Sequence, residues 1–287
     1  MTSNSNVRPR RSFLFVPGSE TTLFPKALKA KPDIVCIDLE DAIAPPDKSM
    51  ARKETIARLK TTTMIDDVEI LVRINSLRTG DGWEDITSIL RSNIKLSGLM
   101  LPKVKNAEEV RLLDELLDEQ NSPLRLQVII ETNEGLEGCV DIAGSSGRID
   151  ALLFGGIDMA ADLRVKPNWG SLLYARSKLV HAAATHQIDL IDVPYLDLED
   201  EEGLKLAAKL AHDLGFTGKG AIHPKQLPII TKEFTPSSQE IEEAKKIVDA
   251  FRKAKTGLVV LEGKLIEKPV LRNMHRVLAI AKKTNGS

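Results

Sequence analysis

Short apolar runs recur along the chain at a spacing that sets its architecture before any single residue does. Eight of them begin near positions 12, 34, 70, 98, 127, 151, 190 and 219. They are Phe13 to Val16, Ile34 to Ile37, Ile70 to Ile74, Leu99 to Leu101, Val128 to Ile130, Ala151 to Phe154, Leu190 to Val193 and Lys219 to Ile222. Val128 to Ile130 and Ala151 to Phe154, each bounded by glycines and polar residues, have the form of a parallel strand buried on both faces. Between the runs lie stretches with helical spacing. Residues 19–30 place Leu23, Ala27 and Leu28 on one face, and 47–60 do the same with Met50, Ile56 and Leu59. Further helices are predicted over Trp83 to Arg91, 106–119, Tyr174 to His186, and Gly203 to Leu214 with Gly215 as its C-cap. After the runs at 127 and 151 the connections are glycine-rich.

Alternation of this kind implies parallel βαβ units, and eight of them fit a (β/α)₈ TIM barrel over residues 10–235 better than an open sheet. Past the barrel, Ser237 to Lys253 reads as a helix capped by Ser237 or Ser238, with Glu240 completing a capping box. The segment GLVVLEGKLIEKP predicts a hairpin turning at Glu262-Gly263, and Val270 to Lys282 a closing helix. Residues 236–287 are too few for a core of their own and form a C-terminal helix, hairpin and lid helix. Residues 1–9, MTSNSNVRP, read as a disordered tail.

Composition narrows the function. A chain of 287 residues is long enough for one large domain with a full core. A net charge of −1 provides no field for nucleic acid or an anionic membrane, and 4% aromatic content argues against base-stacking platforms. No apolar run approaches a membrane span, and the N-terminus has no secretory h-region. Cys36 and Cys139 form no C-x-x-C pattern and read as reduced, buried thiols of a cytoplasmic protein. No G-x-G-x-x-G opens a helix after a strand, so dinucleotide binding has no support.

In a parallel barrel the strand C-termini meet on the face that carries chemistry. Asp38, Glu40, Asp41, Arg73, Lys103, Glu131, Asp158 and Asp192 all stand at such ends. Glu131 and Asp158 follow two consecutive strands and would share one hard cation. Two carboxylates plus waters suit Mg²⁺, which keeps open positions for substrate oxygens. The alternative is that Glu131 caps a turn and Asp158 caps a helix. Asp38 is placed to contact a metal-bound water or Arg73 directly, while Glu40 and Asp41 hold loops and neighbouring lysines. Lys103 balances charge or pairs with one of these acids. His181, His186, His212 and His275 fall on helices without metal-ligand spacing.

Nine segments carry a resemblance: RSFLFVPG, DIVCIDLEDAI, LVRIN, LPKV, IIETNEG, FGGIDMAADL, LLYARSKLV, GFTGKGAIHPKQ and VVLEGKLIEKPVL. In order and spacing they are similar to the citrate lyase β-subunit-like family of the HpcH/HpaI aldolase and citrate lyase superfamily. That family also contains malyl-CoA and citramalyl-CoA lyases, and the resemblance spans about residues 10–282. It implies a (β/α)₈ barrel in a homotrimer or hexamer, with Mg²⁺ on Glu131 and Asp158 and with Arg73 on substrate oxygens. Arg73 presents a fixed fork of donors suited to that task, though a salt bridge across the barrel interior is the alternative. The family binds part of coenzyme A at the first βα loop, which implies roles for Arg11 and Lys26. Its I-H-P segment, here Ile222-His223-Pro224, implies that Pro224 lines the substrate site. Its lid carries an aspartate as acid/base, reaching an adjacent subunit. Here Glu267 stands in that place, with the carboxylate moved out by one methylene, ~1.5 Å. Aldolase relatives carry a histidine base at the second strand end. The Asp38-Leu39-Glu40 found here favours a lyase whose acid/base comes from the lid.

Together these observations imply a Mg²⁺-dependent carbon–carbon lyase cleaving citramalyl-CoA or malyl-CoA to acetyl-CoA and a 2-oxo acid, pyruvate or glyoxylate. Two alternatives stay open. One is a citrate lyase β subunit that cleaves a citryl thioester on an acyl carrier protein to acetyl-thioester and oxaloacetate. The other is a non-catalytic ligand-binding barrel.

Overall fold

The computed structural model describes residues 8–63, 65, 67–254, 258–261, 263–268 and 270–284. Most of the expected tail (1–7) and Glu262 of the expected turn lie outside the described residues. Eight parallel strands pair in chain order: β1 Ser12–Pro17, β2 Ile34–Asp38, β3 Glu69–Arg73, β4 Gly98–Leu101, β5 Arg125–Ile130, β6 Ile149–Phe154, β7 Asp189–Asp192 and β8 Gly218–Ala221. β8 pairs with β1 and closes the barrel. The eight apolar runs are these strands.

The period of two sets the interior. Phe13, Ile34, Cys36, Leu71, Met100, Ile129, Ala151, Leu153 and Ile191 form one buried cluster in the barrel, against which Phe15 packs. Counting onward by two from these positions brings Pro17, Asp38, Arg73, Glu131, Gly155, Val193 and Ile222 to the C-terminal rim. At the opposite end the Arg10 guanidinium closes the barrel. Its Nε lies 2.7 Å from Glu69, and its two terminal nitrogens lie 3.0 Å from Asp150 and Asp189.

Helices Lys48–Lys60, Gly80–Ser92, Ala107–Glu119, Trp169–His186 and Glu201–Leu214 lie where the periodicity predicts them. The 18-residue helix starts five positions before Tyr174, because the Asn168 side chain accepts from Ser171 N and caps it there. The expected helix over 19–30 is divided into a 3₁₀ turn, Gly18–Leu23, and a helix, Phe24–Lys29. Pro25 has no N–H and is accommodated only in a first turn, so the α-helix begins at Phe24. The glycine-rich connections contain three short helices: Asn133–Glu137, Cys139–Ala143 and Gly156–Leu163. Another, Leu227–Glu233, follows β8.

The chain divides into two compact units: the barrel, Arg10–Thr231, and a unit built on the C-terminal segment from Lys232. The expected boundary at 235/236 thus falls four residues earlier. In the second unit Ser237 and Glu240 form the expected capping box for Ser238–Lys253. β9 Leu258–Leu261 pairs antiparallel with β10 Lys264–Glu267, and Val270–Thr284 is helical.

Arg10→Met removes from the lower end the cation that Glu69, Asp150 and Asp189 share. Removing one partner from a buried ion pair costs about 3–5 kcal/mol, so a loss of that size is expected in urea unfolding of the isolated chain.

Candidate active site

At the C-terminal rim, Asp38, Arg73, Glu131 and Gly155 surround a cavity of about 440 Å³. Asp41 and Asp158 complete its polar side. Phe15, Ile129, Leu153, Phe154, Ile157, Val193, Pro194, Leu196 and Ile222 make its apolar side.

Arg73 is the hinge of the polar side. Its Nε and Nη2 each donate to an Asp38 carboxylate oxygen at 2.6 Å, a bidentate pair between neighbouring strand ends. Its other terminal nitrogen lies 3.4 Å from Glu40 and 3.8 Å from Asp41, and the guanidinium stands 5.2 Å from the Phe15 ring centroid. Asp38 also accepts from the backbone N–H groups of Glu40 and Ala42, so it shapes the acidic loop as well as aiming the arginine. A second network holds that loop from below. Lys48 Nζ donates to the carbonyls of Leu39 and Glu40 and to the Asn75 side chain. Asn75 in turn donates to buried Asp85, which also receives Arg52 Nε at 2.5 Å.

Glu131 does not cap the helix that follows it. Thr132 does, through its hydroxyl to Gly135 N. Glu131 instead accepts from Lys103 N at 2.7 Å. Lys103 holds a φ of +54°, a left-handed conformation that L-residues adopt rarely. That conformation turns its N–H to Glu131 while its ammonium pairs with both Glu40 and Asp41. Gly155 makes room on the far side of the carboxylate, because a Cβ there would come within 2.3 Å of Glu131 Cβ and 2.6 Å of its Oε2. Asp158 lies in the first turn of Gly156–Leu163, whose N-cap is Gly155 with no capping side chain. The capping alternatives for both acids therefore fail.

Burial, with the charges of Asp158 and Glu40 nearby, pushes the Glu131 carboxyl up to about 8. Burial and then Asp41 raise Asp158 as well. Among the described residues no group of three or more His, Cys, Asp or Glu side chains gathers as a metal site. Two carboxylates raised by burial and by nearby negative charge are nonetheless a fitting donor set for a hard divalent cation that keeps most of its waters. The Lys103 amide and the missing Cβ at Gly155 leave one Glu131 oxygen anchored and the other open to such an ion.

Other expected site residues lie apart from this group. Arg11 precedes β1 at the N-terminal end of the barrel, where its backbone and guanidinium donate to Asp33. It does not flank the first βα loop, because a parallel strand carries its first residues to the face opposite the mouth. Lys26 is exposed in the first turn of Phe24–Lys29. Pro224 opens a 3₁₀ turn capped by the His223 imidazole, and Ile222 rather than Pro224 lines the cavity. Asp192 faces away from the cavity: Ile191 points into the barrel, so its neighbour points out, where Arg176 and Lys219 meet it. Glu267 is exposed on β10 in the C-terminal unit. Phe15, Gly155, Val193 and Ile222 were not singled out from sequence, although strand register with period two would have found them.

A closed parallel barrel with paired carboxylates and a guanidinium at its C-terminal face defines a barrel enzyme. The HpcH/HpaI aldolase/citrate lyase model matches residues 11–224, and the chain belongs to that family, whose named relatives here are lyases. It is 32% identical to the mitochondrial citramalyl-CoA lyase of Rattus norvegicus, over 97% of this chain and 88% of that one. It is 33% identical to an L-malyl-CoA/beta-methylmalyl-CoA lyase of Cereibacter sphaeroides, over 91% of each. Among solved structures it is similar to protein CitE of Mycobacterium tuberculosis in complex with magnesium, acetoacetate and coenzyme A. The TM-score is 0.78 at 27% identity, covering 96% of this chain and 98% of that one.

Glu131 sets a pH signature. Its folded value, about 8, lies above the ordinary carboxylate range, so between about pH 4.5 and 8 the native state holds a proton that the unfolded chain has released. Stability from this group is complete below that window and falls as pH rises through it. Glu131→Gln removes the fall. In metal-free buffer its melting temperature is expected to lie close to wild type near pH 5, to exceed it increasingly up to about pH 8, and to keep a constant margin above that.

Proposed function

We propose that the chain is a Mg²⁺-dependent carbon–carbon lyase that cleaves citramalyl-CoA or malyl-CoA to acetyl-CoA and pyruvate or glyoxylate. The observation that carries this reading is one cavity with the Glu131 and Asp158 carboxylates and the Arg73 guanidinium on its polar side and a continuous apolar side beyond them. The names of the relatives, citramalyl-CoA and malyl-CoA lyases, and the magnesium–acetoacetate–coenzyme A complex of the similar structure support it.

Glu131 and Asp158 would hold Mg²⁺, which when bound supplies Lewis-acid polarisation of the 2-hydroxy acid end. Arg73 donates to the hydroxyl oxygen, which becomes an alkoxide when its proton leaves and a carbonyl when the carbon–carbon bond breaks, and Asp38 keeps its fork aimed at that point. The apolar side, including Phe15, Leu153 and Val193, excludes water around the separating acetyl-CoA enolate. Glu267 gives that enolate its proton, and acts as base in the reverse direction. By register Glu267 shares one face of the hairpin with Leu258, Val260 and Leu265, all exposed. An apolar face carrying the acid supports a hairpin that completes the site of a neighbouring copy, in a homotrimer or hexamer. Lys26, exposed in the helix after the first βα loop, is suited to the phosphates of coenzyme A. Pro224 bounds the segment that brings Ile222 to the cavity. Both cysteines are buried and free, which fits a reducing compartment such as the cytoplasm, while the rat relative is mitochondrial. Among the described residues no helix is long and apolar enough to cross a membrane.

The test is acetyl-CoA release from each thioester, with Mg²⁺ and with EDTA. Release is expected only with Mg²⁺, lost in Glu131→Ala and reduced on the order of a hundredfold or more in Glu267→Ala. No release from either thioester overturns the reading and directs the assay to a carrier-bound citryl thioester.

Metal binding has its own readout. Because Glu131 must lose its proton to coordinate, calorimetry is expected to show proton release on Mg²⁺ binding and an affinity that rises with pH up to about 8. Gly155→Ala, which pushes into Glu131, is expected to weaken Mg²⁺ binding roughly tenfold or more, as supporting-residue changes at metal sites do.

A further inference from the structure

Two motifs with no part in the chemistry, LLYARSKLV and GFTGKGAIHPKQ, meet behind the apolar wall of the cavity. Arg176 from the first and Lys219 from the second converge on Asp192 at the end of β7. The three are 6%, 2% and 0% exposed. Arg176 Nε donates to one Asp192 oxygen at 3.0 Å and Lys219 Nζ to the other at 2.5 Å. Each cation then makes a second contact with the wall. Lys219 Nζ donates to the Val193 carbonyl at 2.7 Å. The Arg176 guanidinium lies between two rings, 4.8 Å from the Phe154 centroid and 4.6 Å from that of Trp169. Phe154, Val193 and the following Pro194 line the cavity. Pro194 is confined on its other side by Gly220, where a Cβ would come within 2.7 Å of the proline ring.

The arrangement is a poor way to gain stability. Two buried cations share one carboxylate, and Arg176 Nη1 has no hydrogen-bond partner. Burial lowers the proton affinity of Lys219, and Asp192 opposes that. Apolar residues of similar volume would fill the same space at equal or better stability. What apolar packing does not supply is a fixed direction. A donor locked to the Val193 carbonyl and a cation locked against the Phe154 ring set two parts of the wall to within hydrogen-bond tolerance.

We infer that Arg176, Asp192 and Lys219 are positioning residues that fix the Phe154 and Val193–Pro194 wall against the acyl portion of the substrate, and so set which acyl thioester is accepted. The inference deepens the lyase reading and rests on it for its substrate.

The experiment compares the full-length wild type with the triple variant Arg176→Met/Asp192→Leu/Lys219→Met and with Lys219→Met alone. Melting temperature, amide hydrogen exchange over residues 193–200, and kcat and KM for citramalyl-CoA and malyl-CoA are measured on each. The triple variant is expected to melt at or above the wild-type temperature, because the apolar set replaces the whole ionic group. Exchange over 193–200 is expected to speed up about tenfold or more in both variants, as local opening becomes easier. KM is expected to rise roughly fivefold or more with kcat changed less, and the preference between the two thioesters to narrow. A folded triple variant with wild-type exchange and wild-type KM overturns the inference. So does a triple variant that fails to fold, since the ions would then serve stability. A wild type inactive on both thioesters removes the lyase reading alone, and the exchange comparison still decides whether the triad positions the wall.

Discussion

The constraint on which the rest of this structure depends is an excess of negative charge at the rim of the barrel. Asp38, Glu40, Asp41, Glu131 and Asp158 stand on neighbouring strand ends and loops, against the two cations Arg73 and Lys103. Every local feature nearby manages that imbalance. Arg73 satisfies Asp38 bidentately and spreads its remaining charge toward Glu40 and Asp41. Lys103 takes a left-handed backbone so that a single residue can hold Glu131 with its N–H and the acidic loop with its ammonium. What stays uncompensated is the pair Glu131 and Asp158, and there both carboxyls rise from their ordinary values. A site left short of positive charge at one defined point is where a cation would fit best, and without one Glu131 keeps its proton near neutral pH.

Much of this was legible in the chain because barrel chemistry follows strand ends. Continuous apolar runs set the eight strands, and the residue just past each run falls at the rim. That is why Asp38, Arg73 and Glu131 were identifiable and why Asp158, one turn into its helix, joined them. The same rule misplaced Asp192. It stops one position short of the inward phase, and a single step along a strand reverses the side chain. Arg11 was misread for the complementary reason: it begins a strand rather than ending one, so the parallel register sends it to the closed face beside Asp33. Strand register places Phe15 and Gly155 on the inward phase, but what they contribute, a ring beneath a guanidinium and the absence of a side chain beside a carboxylate, shows only with their neighbours in place. The short helices in the glycine-rich connections were hidden likewise, since glycine argues for loops by propensity and tertiary packing overrides it.

Ionic groups occupy three levels of the barrel, and each does different work. At the N-terminal end Arg10 bridges Glu69, Asp150 and Asp189, tying the starts of three strands. At the C-terminal rim the charges are unbalanced and face the cavity. Behind the wall, Arg176, Asp192 and Lys219 are nearly inaccessible and reach the cavity only through Phe154 and Val193. The apolar cluster of the barrel lies between the first level and the second.

That separation bears on how stability and function are divided. A barrel stabilised by its apolar core and by the ion pairs of its lower end can tolerate a strained rim, because the opposing terms act on different residues. Lys103 in a left-handed conformation and Glu131 held protonated near neutral pH are both unfavourable locally, and neither is near the residues that close the lower end. Binding a divalent cation at the rim would displace the Glu131 proton. The acid proposed for the lid follows a different logic. Glu267 sits on a two-stranded hairpin with an exposed apolar face, and its side chain is a methylene longer than an aspartate would be. Its placement depends on what that face meets, and the rim depends only on the barrel.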